Sequence, residues 1–179
     1  TQAAVIINPT AGPSTRPRDT RRLAEIARRA FARANLTGEI VFTERAGHAR
    51  ELAADFVRRG FSPIIAWGGD GTVNEVASAL AFQDAVLGIV PTGSGNGLAR
   101  ELGISLRPER AIATAIRGVD RTIDVGELGG RLFVNLAGVG LDASVASLFN
   151  RLAGRGLLRY VQATLSTVFS YEAEIYTIT

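Results

Sequence analysis

Short apolar runs alternate with amphipathic stretches along the first 120 residues of the chain. The apolar runs, which are typical of buried strands, cover residues 3–8, 39–43, 63–67 and 86–90. Hydrophobic residues at helical spacing predict helices at residues 18–34, 48–59, 72–81, 98–102 and 108–117. Because regular alternation of strand and helix is typical of a parallel sheet with right-handed crossovers, we expect an α/β domain over residues 1–120.

The pattern changes after residue 120. Segments 121–128 and 131–136 predict two strands around Gly129 and Gly130, which indicates an antiparallel hairpin. Further helices are predicted at 138–150 and 156–171, and a strand at 173–179. We therefore expect residues 121–179 to be the incomplete beginning of a second domain. Because the chain starts at Thr1 rather than at a methionine, we also expect it to be part of a longer sequence.

The composition excludes several kinds of chemistry. All 20 cationic residues are arginine, and the chain has no cysteine and a single histidine, His48. A disulfide framework, a cysteine-ligated zinc site and a P-loop lysine are thereby excluded within these residues. The net charge is only +3, and no apolar run is long enough to span a membrane, so we expect a soluble globular protein.

The most informative motif is the glycine-rich segment that follows the third predicted strand, from Gly68 to Thr72. Its glycines allow the backbone to approach a ligand closely, and the helix that follows offers its N-terminal N–H groups to phosphate. Thr72 is expected to cap that helix. A carboxylate such as Asp70 does not suit anion binding alone and indicates a magnesium ion. The alternative is an ordinary connection between a strand and a helix.

Two more glycine-bearing loops follow predicted strands, at residues 91–97 and 8–12. In the former, Ser94 and Asn96 can form hydrogen bonds with a nucleotide or with each other, and Arg100 can pair with phosphate or with Asp70. The loop at 8–12 is a weaker signal, since Asn-Pro after a strand is often only a turn. Because parallel strands end at one edge of the sheet, we expect the loops at 8–12, 68–72 and 91–97 to meet there.

Three other features are interpreted as structural. Trp67 is predicted to lie in the core rather than to stack on adenine, and His48 is predicted to lie at the surface in the first turn of a helix. The arginines at 18, 22, 29 and 33 are predicted to form a solvated helix face, with contact to anionic lipid as the alternative.

The motifs GGDGTVNEV, at residues 68–76, and PTGSGNGLAREL, at 91–102, together resemble the diacylglycerol kinase catalytic domain family. The resemblance is strongest to its bacterial soluble lipid kinase branch, which is related to sphingosine kinases. GGDGT alone is shared with NAD kinases and 6-phosphofructokinases, whereas the combination is specific to the lipid kinases. The resemblance continues through residues 124–126 and 131–135 and beyond, over essentially the whole chain.

The resemblance implies an α/β nucleotide-binding domain followed by an antiparallel β-sandwich domain, with the active site between them. It implies transfer of the γ-phosphoryl group of ATP to a lipid hydroxyl, giving a product such as phosphatidic acid. By motif position, the implied ATP contacts are Asn8, Pro9, Thr10, Ala11, Gly12, Thr43, Gly68, Gly69, Asp70, Gly71, Thr72, Val73, Asn74 and Ser94.

The resemblance also implies a magnesium ion. Asp70 and Asp124 would hold it, Asn96 would complete the acidic network, and Arg100 would assist catalysis. The general base of the family is a glutamate in the distal part of the sandwich domain, so none is assigned here. Many relatives carry Asn-Asp where this chain has Asn96-Gly97, which leaves the acidic network one carboxylate short or completed elsewhere.

The expected ligands and partners are therefore ATP, Mg²⁺ and a lipid substrate at the membrane surface. The expected location is cytoplasmic and peripheral, at the inner face of the membrane. No nucleic-acid partner is expected because the chain has no recognised binding motif, and a homodimer is left open. The alternative functions are a kinase of a soluble acceptor such as NAD, and a nucleotide-binding regulatory protein without turnover.

Overall fold

A computed structural model describes residues 2–12 and 19–136, and its central element is a four-stranded parallel sheet. The strands are β1 (Gln2–Ile7), β2 (Thr37–Phe42), β3 (Ile64–Gly68) and β4 (Leu87–Pro91), in the order β2-β1-β3-β4. Because β2 and β3 lie on opposite sides of β1, the order reverses between β1 and β3, and such a switch point is where ligands bind in open α/β sheets. The predicted parallel α/β fold is confirmed.

Helices cover both faces of this sheet. They are α1 (Thr20–Ala34), α2 (His48–Arg58), α3 (Asp70–Leu80), α4 (Gly97–Glu101) and α5 (Pro108–Arg117). Alternate residues of β1 point to opposite faces, so that Val5 packs in one core cluster with Phe31 of α1 and Ile112 of α5. Ile6 packs in the other cluster, with Phe56 of α2. Since both of their faces are buried, the central strands β1 and β3 are almost wholly apolar, whereas the edge strand β2 begins with exposed residues and carries Glu39.

The start of α3 differs from the sequence prediction. The helix begins at Asp70 with Gly69 as its N-cap residue, and no side chain caps it. The prediction that Thr72 caps this helix is therefore wrong. Thr72 lies in the first turn, is buried, and its hydroxyl accepts a hydrogen bond from Asn8 instead of from the backbone of α3.

The predicted change to antiparallel pairing is confirmed by a hairpin of β5 (Gly126–Leu128) and β6 (Arg131–Phe133). The strand predicted at 121–128 is too long, because residues 119–125 have no strand partner in the described part of the chain. β6 ends at Phe133 rather than at residue 136, and the side chain of Asn74 binds the backbone at that end.

The elements predicted at 138–150, 156–171 and 173–179 lie outside the described residues, as does residue 18 at the predicted start of the first helix. The domain boundary at residue 120 stays a prediction. Within residues 2–12 and 19–136, no helix has the length and hydropathy needed to cross a membrane.

Candidate functional site

The three glycine-bearing loops meet in a cleft of about 460 Å³ at the carboxyl edge of the sheet. Nine of the predicted ATP-contact residues line it: Asn8, Thr10, Ala11, Thr43, Gly69, Asp70, Gly71, Thr72 and Ser94. Five others lie outside the lining: Pro9, Gly12, Gly68, Val73 and Asn74. Seven more residues line the cleft without having been predicted as ATP contacts: Glu44, Arg45, Ala46, Ala49, Glu75, Gly93 and Gly95, of which the last two belong to the loop predicted to lie here. Most of them flank predicted positions, so proximity to the motifs was the available signal.

Asn8 connects the first loop to helix α3. Its amide nitrogen donates to the hydroxyl of Thr72 at 3.0 Å. Its amide oxygen accepts from the backbone N–H of Thr10 at 3.0 Å and from the Thr10 hydroxyl at 2.8 Å. The side chain of Asn8 therefore holds the turn after β1 in place against the first turn of α3.

Asp70 connects helix α3 to the second glycine loop. One carboxylate oxygen accepts from the backbone N–H of Asn96 at 2.8 Å, and the other from that of Gly97 at 2.6 Å. The backbones of the two loops also touch, because a Cβ atom on Gly93 would lie 2.5 Å from the Cα atom of Gly69. Only glycine allows so close an approach, so the glycines here join the loops to each other as well as leaving room for a ligand.

Asn96 and Arg100 stabilise the second loop from within. The amide oxygen of Asn96 accepts from the backbone N–H of Gly93 at 2.8 Å, and its amide nitrogen donates to the carbonyl of Gly93 at 2.8 Å. The Nε atom of Arg100 donates to the carbonyl of Gly95 at 2.8 Å. The structure thus gives Arg100 a backbone partner rather than the suggested pairing with Asp70. The phosphate contact of Arg100 stays a prediction, as does the part of Asn96 in the acidic network.

Arg45 is the one cationic residue among the described residues that line the cleft. Its guanidinium lies 2.6 Å from a carboxylate oxygen of Glu51. This hydrogen bond, with the attraction between the charges, raises the pKa of Arg45 and lowers the pKa of Glu51. Both side chains are exposed, so the pair is weak and Arg45 can turn towards an anion in the cleft.

Glu75 belongs to the glycine-rich motif but serves the neighbouring helix. Its two carboxylate oxygens accept from the backbone N–H groups of Gly47 at 2.9 Å and Ala49 at 3.1 Å. These groups lie at the start of α2, where Gly47 has no side chain to cap the helix. A carboxylate from α3 thus satisfies donors that the first turn of α2 cannot satisfy itself.

The residues present fit a magnesium ion bound chiefly through phosphates. No cluster of three acidic or histidine side chains able to hold a metal occurs in the described part of the chain. Mg²⁺ in nucleotide sites is commonly held by one or two carboxylates together with phosphate oxygens and water. Asp70 lines the cleft and has the carboxylate that such a role needs, and its part in holding the ion stays a prediction. Asp124 is exposed in the segment before β5, and its part in a metal network stays a prediction.

The structure shows the positions of the residues that were predicted to be structural rather than functional. Trp67 is fully buried in β3, which confirms its place in the core. His48 is half-buried as the first residue of α2, and its Nδ1 atom accepts the backbone N–H of Glu44 at 3.1 Å. The arginines at 22, 29 and 33 are exposed, as a solvated face requires, and contact with lipid stays untested.

These features define the class of the protein. A parallel α/β sheet carries glycine-rich loops at its switch point, and the N-terminus of α3 adjoins the cleft that they form, as in α/β domains that bind phosphate groups. The family model of the diacylglycerol kinase catalytic domain matches residues 2–128. The chain belongs to that family.

Individual relatives agree with this assignment. The chain is 40% identical over 142 residues to a diacylglycerol kinase of Bacillus subtilis, a match covering 78% of this chain and 46% of that protein. It is 41% identical over 103 residues to a probable lipid kinase YegS-like of Pseudomonas aeruginosa, covering 56% of this chain and 34% of that protein. A solved structure of a diacylglycerol kinase from Bacillus anthracis superposes with a TM-score of 0.64 at 27% identity, over 74% of this chain and 47% of that one. The matched region is thus less than half the length of each of these relatives.

Proposed function

We propose that this protein acts as a lipid kinase that transfers the γ-phosphoryl group of ATP to a lipid hydroxyl, of the diacylglycerol type. The observation that carries the proposal is the position of Asp70, which joins the start of α3 to the second glycine loop inside the cleft. A carboxylate among backbone donors suits a cation-bound phosphate better than a free anion. The family match and the named lipid kinases among its relatives support a lipid as acceptor.

The cleft offers the groups that a nucleotide needs. The first turn of α3 lines the cleft, where its backbone N–H groups and the positive end of its dipole would favour phosphate, and Arg45 supplies a cation to the same lining. A magnesium ion, when bound, would neutralise charge on the phosphate oxygens. In the reaction, the lipid hydroxyl oxygen forms a bond to the γ-phosphorus while the bond to the bridging oxygen breaks and ADP leaves. The hydroxyl proton passes to a base that the described residues do not supply.

The lipid acceptor and ATP together indicate where the reaction would take place. A diacylglycerol-like lipid stays in the membrane, whereas ATP is a cytoplasmic solute. We therefore propose that the enzyme works at the inner face of the membrane as a peripheral protein. The exposed arginines of α1 would favour an anionic surface.

One observation favours a second candidate, a nucleotide-binding regulatory protein without turnover. Gly97 supplies no side chain at the position where many relatives carry a carboxylate. A protein that binds ATP but phosphorylates no lipid in a membrane extract would support this candidate.

The test of the proposed function is the substitution Asp70→Asn in the full-length protein. The amide cannot accept through its nitrogen and carries no charge, so we expect turnover to fall by at least about 100-fold. The assay follows labelled phosphate from ATP into a lipid extract, with the product identified by mass and with diacylglycerol and NAD as separate acceptors. Asp84→Asn, the same change at an exposed site in the loop before β4, is the matched control. Turnover like wild type in Asp70→Asn would contradict the proposal, as would phosphorylation of NAD alone.

A further inference from the structure

Asn135 lies where a side chain on Gly97 would lie. A Cβ atom built on Gly97 would come within 2.1 Å of the amide nitrogen of Asn135 and 3.3 Å of its Cγ atom. The same Cβ atom would be 3.7 Å from a carboxylate oxygen of Asp70. The amide of Asn135 therefore fills the space beside Asp70 that the missing side chain of residue 97 leaves open.

The backbone that carries Asn135 is held by helix α3 itself. The amide nitrogen of Asn74 donates to the carbonyl of Leu132 at 3.1 Å, and its amide oxygen accepts from the backbone N–H of Val134 at 3.2 Å. Asn74 follows Asp70 by four residues and so stands one turn along the same helix. One rigid element thus fixes both Asp70 and the segment that presents Asn135.

The charges of the cleft explain why an amide suits this place. Among the described lining residues, Glu44, Asp70 and Glu75 are acidic and only Arg45 is cationic. An uncharged group beside Asp70 adds no further negative charge to this lining. An amide carries two N–H donors and an acceptor without charge, and it can donate to a phosphate oxygen.

Asn135 lies two residues after β6 and does not line the cleft itself, but its amide adjoins Asp70, which does. We propose that Asn135 is a nucleotide-binding residue, whose amide donates to the terminal phosphate of ATP beside Asp70. This inference rests on the proposed function. It predicts that a contact between the segment after the hairpin and the α/β domain favours binding of a triphosphate over a diphosphate.

The test measures ATP and ADP binding by equilibrium titration, with magnesium present, in the full-length protein. Asn135→Ala should weaken ATP binding about tenfold, the range expected for a lost hydrogen bond to a charged group, and should change ADP binding by less than about twofold. Gly97→Ala should have the same effect, because its new methyl group displaces the Asn135 amide. The backbone at residue 97 has no positive φ and so accepts alanine. The double variant should bind ATP no more weakly than either single variant.

Glu127→Gln, at an exposed site of the same hairpin, is the control that should bind both nucleotides like wild type. An equal loss of ATP and ADP binding in Asn135→Ala would indicate a merely structural role and overturn the inference. So would additive losses in the double variant, or ATP binding like wild type in both single variants. If the wild-type protein bound no ATP, the proposed function would fail and the inference with it. If the wild type bound ATP and the variants bound it equally well, the inference would fail while the proposed function stood.

Discussion

A hydrogen bond between the side chains of Asn8 and Thr72 joins the first loop to α3, at a distance of 3.0 Å. Thr72→Val keeps the shape of the side chain but removes the acceptor, so the amide nitrogen of Asn8 loses its partner. We expect the free energy of unfolding to fall by about 1 kcal/mol, measured by urea denaturation, and Thr72→Ser to retain the hydrogen bond.

The matched control for this change is Thr37→Val, an exposed position at the start of β2, where we expect a change within about 0.5 kcal/mol. Equal stability of Thr72→Val and wild type would show that the hydrogen bond to Asn8 contributes nothing. Stability of Thr72→Ser as low as that of Thr72→Val would also contradict this account.

Residue contacts of this kind are what the sequence could least predict. Threonine after a glycine-rich turn is a common helix cap, but α3 begins two residues earlier and places Thr72 inside its first turn. Gly97 and Asn135 are close in space because of the way the hairpin docks on α3. No periodicity or motif spacing encodes that docking, because it joins residues far apart in the chain.

At the scale of elements, the start of α2 depends on a residue of α3. Gly47 precedes α2 and has no side chain to cap the helix. The carboxylate of Glu75 instead accepts hydrogen bonds from the backbone N–H groups of Gly47 and Ala49. Glu75→Ala should lower the free energy of unfolding by about 1–2 kcal/mol, since it removes a charged cap from a partly buried site. It should also speed amide hydrogen exchange at Gly47 and Ala49. Glu75→Gln keeps one acceptor oxygen and should lose less.

Glu109→Ala removes an exposed glutamate from the first turn of α5 and provides the comparison for the loss of helix charge alone. If amide exchange at the start of α2 were the same in Glu75→Ala and in Glu109→Ala, Glu75 would not be the cap of α2. A loss of stability in Glu75→Gln as large as that in Glu75→Ala would also count against it.

The elements themselves were largely predictable, since each parallel strand is an apolar run and each helix an amphipathic one. Their observed ends differ from the predicted ones by a few residues at most, as in β4, which runs from Leu87 to Pro91. The clear error is the strand predicted at 121–128, of which only Gly126–Leu128 pairs. Alternation of apolar and polar residues favours extended backbone in 119–125, but a strand also needs a partner, which local sequence does not reveal.

In the described part of the molecule, helix α3 connects four other parts through four residues of the glycine-rich motif. Asp70 binds the second loop, Thr72 the first loop, Asn74 the hairpin segment, and Glu75 the start of α2. The glycine-rich motif was predicted as chemistry, and its roles towards ATP stay predictions. Its structural roles were missed because each is a contact with a distant segment. The density of polar side chains in this helix is explained by four separate attachments.

The attachment through Asn74 couples the hairpin to the candidate nucleotide site, and removing it should affect both. Asn74→Ala removes the amide that donates to the carbonyl of Leu132 and accepts from the backbone N–H of Val134. We therefore expect faster amide hydrogen exchange at Val134 and a loss of about 1–2 kcal/mol in the free energy of unfolding. Because Asn135 would no longer be held beside Asp70, ATP binding should weaken about as much as in Asn135→Ala, roughly tenfold. Ser78→Ala, one turn further along α3, should leave both measurements unchanged. Faster exchange with intact ATP binding would separate the two effects and show that the hairpin docks on α3 without positioning the nucleotide.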